Sequence, residues 1–360
     1  MQIEPGSILN HPPRRITLND IARACDVSRA TVSLVLRGSP LVHADTRQRV
    51  EAEMQRQGYV YNRAAANLRQ RVSSSVALVI NDLSNPFFAE FAAGVDEALG
   101  AKGYVTLLGC SNESPARQRQ VLGSLMEHHP AGIILSPAEN SDAAGIELAV
   151  GRLTPLLVFN RELIENQPAA NRPEGFEYDF LGLDNRAGAH AATAHLLELG
   201  HRRIAFYGGH ADSSSCRQRR LGYRDALQEA GIAIDPRWMI ETAPTRIEAN
   251  AHAEELFATT PAPTAAVCYN DAVALGLMLG LTRLGRRPGV DFAVTGFDDI
   301  PEAAVGIPPL TTLAADPRAR GRQAAEMLLQ RATAPSQPHR TVVVRVQLTE
   351  RDSTAHAPAH

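Results

Sequence analysis

Two hydrophobic rhythms divide this chain. Between Ile16 and Gln57 apolar residues recur at three- and four-residue intervals, the spacing of amphipathic helices. From Ser75 onward short continuous apolar runs alternate with helical stretches. VALVI (76–80), YVTLLG (104–109), GIIL (132–135), LLVFN (156–160) and FLGLD (180–184) predict strands, as do RIAFYGG (203–209), AAVCYN (265–270), FAVTGFD (292–298) and TVVVRVQL (341–348). Helices are predicted over 86–101, 115–129, 186–199, 217–230, 247–259, 272–284 and 317–331. Continuous apolar strands separated by helices imply parallel sheets covered on both faces. Two such sets predict an α/β core of two doubly wound lobes, with ligands at the carboxyl ends of the strands.

The first rhythm has the pattern of a helix-turn-helix. Leu18 to Ala24 forms a short helix with Ile21 and Ala22 inward, and Cys25-Asp26-Val27 makes the turn. Asp26 tolerates the left-handed conformation such a turn needs. Ser28 is suited to cap the second helix. Val27, Val32 and Leu36 point back to the first helix, which leaves Arg29, Ala30, Thr31, Ser33 and Leu34 outside. Small and hydrogen-bonding side chains on a helix docked through its apolar face suit a DNA major groove. The plainer alternative is a helical hairpin within a larger core. Beyond a break at Gly38-Ser39-Pro40, Asp45 is expected to cap a third helix, Thr46 to Gln57, with Val50 and Met54 inward and Gly58 ending it. Asn62 can cap a short Ala-rich helix over 63–69, which has too few large apolar residues to fold alone.

Composition adds a charge asymmetry. A chain of 360 residues, 44% hydrophobic and 21% charged, suits a soluble protein of two or three domains. Residues 14–71 carry eleven arginines and five acids, a net of +6, which leaves −9 for the rest of a −3 chain. A basic head on an acidic body is expected where only the head meets phosphate. The four cysteines are far apart with no CxxC, which predicts reduced thiols rather than zinc sites or disulfides. Residues 1–15 read as a disordered tail without a signal-peptide core, so the protein is expected in the cytoplasm, and no apolar run is long enough to span a bilayer.

The chain resembles the LacI/GalR family of transcription factors over about residues 16–350. The resemblance rests on ITLNDIARACDVSRATVSLVLRG, NDLSNPFFAEFAAGVDEAL, VCYNDAVALGLM, VTGFDDIP and PPLTTLAADPRARGRQAAEMLL, in that order. YGGHADSSSCRQRRLGY and AVCYNDAVALG look most like the maltose regulon repressor branch. The resemblance implies an all-α helix-turn-helix head (16–60), a hinge helix (61–72) and a two-lobed periplasmic-binding-protein-like core (73–350). The first lobe is expected over about 73–177 and 308–335, the second over about 178–307 and 336–350, with a tail at 351–360. It further implies a homodimer on a palindromic operator, controlled by a sugar-like effector. Arg29, Ala30 and Leu34 fall on positions that set base preference, with Arg29 able to bond guanine O6 and N7 bidentately. Thr17, Ser28, Thr31, Ser33, Asn62 and Arg63 complete the DNA-facing set. Leu68 matches a leucine that wedges into a minor-groove step and kinks the operator. Two departures stand in this hinge: Tyr61 where a proline is usual, and Ala66 where an arginine is frequent.

The same resemblance places effector contacts at strand ends. Asn85, Phe87 and Phe88 lie in the loop after the first strand, Asn160-Arg161 end another, and Asn270 and Asp298 end two strands of the second set. Arg219 precedes Gly222 by three, as an effector-contacting arginine does in relatives. Aromatic faces suit sugar C–H surfaces, and amide, arginine and carboxylate groups suit vicinal hydroxyls. Neighbouring Phe87 and Phe88 point about 100° apart on a helix, so at least one is expected in the cleft. Ala315 offers no polar contact where relatives carry one, and Asn160 in place of Asp removes a charge. Arg161 and Arg219 leave an anionic effector open. The rivals are a nucleotide-type enzyme and a solute-binding protein on the same core. No GxGxxG after a strand, GxxxxGK[ST], GxSxG or HExxH is present, so no catalytic residue, metal or cofactor is expected.

Overall fold

The computed structural model describes residues 16–59, 73–163 and 175–354. The chain divides into two compact units between Arg71 and Val72.

The first unit is built on α1 (Leu18–Ala24), α2 (Arg29–Leu36) and α3 (Ala44–Gln57). Thr17 and Asp20 form a capping box at α1, each side chain bonded to the other's backbone N–H. Asp26 takes φ 51°, the left-handed turn residue the sequence called for. The Ser28 hydroxyl accepts the Thr31 N–H at 3.0 Å and starts α2. Ile21, Val32, Val35, Val50 and Met54 form the buried centre. Two expectations need correction. Leu34 is not wholly outside: it packs partly on this core, because Val32 and Val35 at i, i+3 turn its flank inward. Asp45 does not cap α3; the helix begins two residues earlier, at Ala44 after His43, and Asp45 sits in its first turn, where a carboxylate favours the helix dipole. The expected tail over 1–15 lies outside the described residues, as does the hinge with Tyr61, Asn62, Arg63, Ala66 and Leu68.

The second unit holds two parallel sheets. The larger contains β1 (Ser75–Ile80), β2 (Val105–Cys110), β3 (Ile133–Leu135), β4 (Leu156–Phe159), β5 (Asp179–Leu183) and β11 (Thr341–Val344), in the order β11-β5-β4-β3-β1-β2. Alternation along β1 separates its faces. Val76, Leu78 and Ile80 join a core with α4 (Pro86–Gly100) and α12 (Pro317–Thr333), and Ala77 and Val79 join another with α5 (Pro115–Met126) and α6 (Ala143–Val150). The smaller sheet runs β7 (Met239–Ile240), β6 (Ile204–Tyr207), β8 (Ala265–Cys268), β9 (Ala293–Thr295). It carries α7 (Asn185–Glu198), α8 (Ser214–Glu229), α9 (Arg246–Ala251), α10 (Asp271–Arg283) and α11 (Pro301–Val305). Beside it β10 (Thr312–Ala314) pairs antiparallel with β12 (Gln347–Thr349).

Close helix approach fixes several glycines. A Cβ on Gly94 of α4 would meet the Arg318 carbonyl oxygen of α12 at 2.0 Å, and one on Gly222 of α8 would meet that of Arg186 on α7 at 2.0 Å. Backbone cannot yield at that distance as a side chain can, so only glycine fits.

The chain passes between lobes at other residues than expected. Residues 179–183 pair with β4 on one side and with 341–344 on the other in the first sheet, whereas Thr311 and Ala314 bridge to the second. The run 341–348 is therefore not one strand: it leaves the first sheet at Val344 and re-forms at Gln347 beside β10. Nor are residues 351–354 a tail. Ser353 and Thr354 are buried against the second lobe, with Thr354 Oγ1 2.9 Å from His195 Nε2. At the far edge of the first lobe Arg331 forms a buried two-point ion pair with Asp179, at 3.1 and 2.8 Å. Among the described residues, no helix is long and apolar enough to cross a membrane.

Candidate functional site

A cavity of about 400 Å³ lies between the two lobes. Its walls follow from topology. Asp82, Asn85, Phe87 and Phe88 come after β1, Asn112 and Glu113 after β2, Glu139 after β3, and Asn160 and Arg161 after β4. From the other lobe His210 follows β6, Ala243 to Thr245 follow β7, Tyr269 and Asn270 follow β8, and Asp298 follows β9. Arg219 arrives from within α8, and Phe87 and Phe88 from the first turn of α4. Strands ending together put their loops in one crevice. Several of these ends adopt backbone that favours glycine, with φ 49° at Asn112, 57° at Glu113, 66° at Asn160 and 126° at Asp298. Such conformations collect at sites that hold side chains in fixed directions.

The eight effector candidates named from sequence, Asn85, Phe87, Phe88, Asn160, Arg161, Arg219, Asn270 and Asp298, all line this cavity. Phe87 and Phe88 both reach it, meeting edge-on at 5.2 Å between ring centres, while Phe87 stacks on Phe159 at 6.0 Å. Asn85 and Asn270 do double duty: their Oδ1 atoms cap α4 and α10 by accepting the N–H of Phe87 (3.1 Å) and Val273 (2.9 Å). Glu113, Glu139, Asn112, His210 and Tyr269 were not singled out from sequence. Each follows a strand, so the strand-end rule applied to every strand would have found them.

Two arginines organise the walls. The Arg161 guanidinium donates to both oxygens of Glu113 at 2.6 and 2.9 Å and to the Pro137 carbonyl at 3.2 Å. Burial is the largest influence on it and would lower its pKa; Tyr269, Glu113 and Glu139 more than offset this and hold it above the ordinary arginine value. Arg219 donates through Nε to Asn185 at 2.8 Å and through Nη1 to the Tyr269 carbonyl, and stacks 3.5 Å above the Phe297 ring. Its Nη2 lies 3.8 Å from Asp298. Burial raises the Asp298 carboxyl well above the usual range, with Arg219 opposing. Among the described residues, Asn160 Oδ1 is buried without a hydrogen-bond partner.

Behind the cavity, Asp271 ties the lobe together. It accepts the Ile300 N–H at 2.9 Å and the Thr312 hydroxyl. Burial, the largest cause, pushes its pKa up to about 6 against both bonds. A carboxyl whose pKa is raised on folding stabilises below the unfolded value, and that stability is lost as pH rises through the folded value. Urea titrations of wild type and Asp271→Asn from pH 4 to 7 should show the wild type losing about 2 kcal/mol relative to the variant, most of it by about pH 6 and the remainder by about pH 7. Parallel pH curves would refute this assignment.

Among the described residues, no group of three or more His, Cys, Asp or Glu is placed to hold a metal ion, and the cysteines are free, with Cys25, Cys216 and Cys268 buried and Cys110 half-buried.

A helix-turn-helix unit joined to a two-lobed core with a cleft between parallel sheets defines a DNA-binding regulator with a ligand-binding body. Residues 17–62 match the bacterial regulatory proteins of the lacI family, and residues 193–354 match the periplasmic binding protein-like domain. The chain is 31% identical over 337 residues to the ribose operon repressor of Haemophilus influenzae, covering 94% of this chain and 98% of that one. It is 29% identical over 344 residues to the maltose regulon regulatory protein MalI of Escherichia coli, covering 93% and 98%. The fold matches the lac repressor dimer bound to operator and the anti-inducer ONPF, with TM-score 0.80 at 26% identity over 95% of this chain and 99% of that one. The protein belongs to the LacI family and is a DNA-binding transcriptional repressor. The maltose regulon regulator stands among its relatives at about the same identity as the ribose repressor.

Proposed function

We propose that the protein binds a palindromic operator as a homodimer, in the cytoplasm, and that a small polyhydroxylated effector in the interlobe cavity controls its affinity for that operator. The observation that carries this is the cavity itself: aromatic, amide, arginine and carboxylate groups from both lobes converge on one space of about 400 Å³, within the range of small-molecule sites. A ligand touching both lobes binds one lobe arrangement better than another, which is the requirement for shifting a population. On the DNA side α2 presents exposed Arg29 and Ala30, with Thr31, Ser33 and Leu34 half-buried beside them. The hydroxyls of Thr17 and Ser28 are engaged as helix caps, so their part is to set the two helices for docking.

The test is a gel shift of the full chain on DNA from around its own gene, at fixed salt, with a panel of sugars. A specific shift that one sugar alters supports the reading. A specific shift unchanged by every compound leaves the repressor and removes the sugar effector. In the same assay Arg29→Ala should cost about 1–3 kcal/mol on the preferred operator and flatten preference at one base pair per half-site. Equal loss on operator and random DNA would place Arg29 on phosphate instead.

A further inference from the structure

The polar groups of the cavity are not balanced, and the imbalance bears on what it accepts. Both arginines are largely occupied, although among the described residues Arg161 Nε is buried without a partner. Arg161 spends its two terminal nitrogens on Glu113 and the Pro137 carbonyl, and Arg219 spends Nε and Nη1 on Asn185 and the Tyr269 carbonyl. The groups left wanting a partner are mainly acceptors. Among the described residues, Asn160 Oδ1 is buried with none. Among the same residues, the Glu139 carboxylate has only the Arg161 Nη2 at 4.0 Å, and that of Asp298 only the Arg219 Nη2 at 3.8 Å, both beyond hydrogen-bond reach. Four carboxylates line the space (Asp82, Glu113, Glu139 and Asp298) against two guanidiniums. The N-termini of α4 and α10, which would attract an anion, are closed by the Asn85 and Asn270 caps.

We propose that the cavity selects a hydroxyl-rich ligand that is uncharged or carries an ammonium group and rejects the phosphate ester of the same ligand, with Glu113 setting this preference by neutralising Arg161. The proposal rests on the reading that the cavity holds a sugar-like effector. A phosphate or carboxylate brings acceptors only, which Asn160 Oδ1, Glu139 and Asp298 cannot satisfy and the carboxylates repel. Hydroxyl or ammonium protons satisfy all three. The amide N–H groups of Asn85 and Asn270 then remain to bond hydroxyl oxygens.

Calorimetry of the full chain with matched pairs tests it: ribose and ribose 5-phosphate, glucose and glucose 6-phosphate, with glucosamine as the ammonium-bearing probe. At least one unphosphorylated member should bind, and its ester at least about tenfold more weakly. Glu113→Gln frees the Arg161 fork and should shrink that ratio by about tenfold; Glu139→Gln, which leaves the ion pair intact, should shrink it in the same direction. An ester that binds wild type as tightly as its parent sugar overturns the proposal and leaves the sugar-effector reading standing. An unchanged ratio in both variants overturns the assignment to Glu113 and to the carboxylate excess. Silence of every pair removes the sugar-effector reading itself, and this proposal with it.

Discussion

Arg331→Leu is expected to lower the stability of the two-lobed core by about 3–5 kcal/mol, the cost of orphaning one member of a buried ion pair. Asp179 opens β5 and its side chain is 1% exposed; that of Arg331, near the end of α12, is 5% exposed. The pair does more than attract. Arg331 also donates to the carbonyls of Pro335, Gln337 and Pro338, which fastens the connection that brings β11 back beside β5. Asp179 accepts the Arg340 N–H at 2.8 Å as well. Although burial, the largest influence, pushes the Asp179 pKa up, the bonds from Arg331 and Arg340 hold it below the usual carboxylate range. Its contribution is therefore present above about pH 4 and fades as pH falls through the folded value. Urea unfolding at pH 7 measures the loss. Adding Asp179→Asn to Arg331→Leu should recover part of it, because the orphaned charge is what costs most. A single-variant loss below about 1 kcal/mol would mean that the Arg340 guanidinium, 3.7 Å from Asp179, already neutralises it.

Arg219→Ala is expected to abolish the response to effector while specific operator binding survives. Three buried acceptors depend on this one guanidinium: Asn185 Oδ1, the Tyr269 carbonyl and the Asp298 carboxylate. Without it the strand end that carries Tyr269 and Asn270 loses its anchor, and Asp298 is left buried without a counter-charge. Effector affinity should fall at least about a hundredfold, as removing one partner of a buried charged pair does. Arg219→Lys should not restore it, since an ammonium cannot serve three directions and lie flat on Phe297. Anisotropy titrations on labelled operator, with and without the sugar that the panel identifies, separate the two effects. Retention of an undiminished response in Arg219→Ala would remove Arg219 from the effector site.

Local rules made much of this protein legible before its fold. Leu18 to Ala24, the left-handed Asp26 and the Ser28 cap are decided within a turn of chain, by side-chain size and one hydroxyl, so they could be read directly. The strand-helix alternation and the polar residues at strand ends were visible for the same reason: apolar runs mark strands, and the crevice lies where they stop. Asp45 and Leu34 were misplaced by small margins.

The tertiary structure decided what depends on partners far apart in sequence. Residues 341–348 read as one strand because TVVV is β-branched throughout and RVQL continues it with alternating polar and apolar residues. Only pairing with Phe180 to Leu183 on one side and with Thr312 to Ala314 on the other splits them between sheets. The same holds for charge. Sequence placed Arg161 and Arg219 at the cleft and so left an anionic ligand open. Glu113, 48 residues from Arg161, and the Tyr269 carbonyl, 50 residues from Arg219, are what occupy those guanidiniums. A side chain's identity is local, but whether its charge is free is settled by what folding brings beside it.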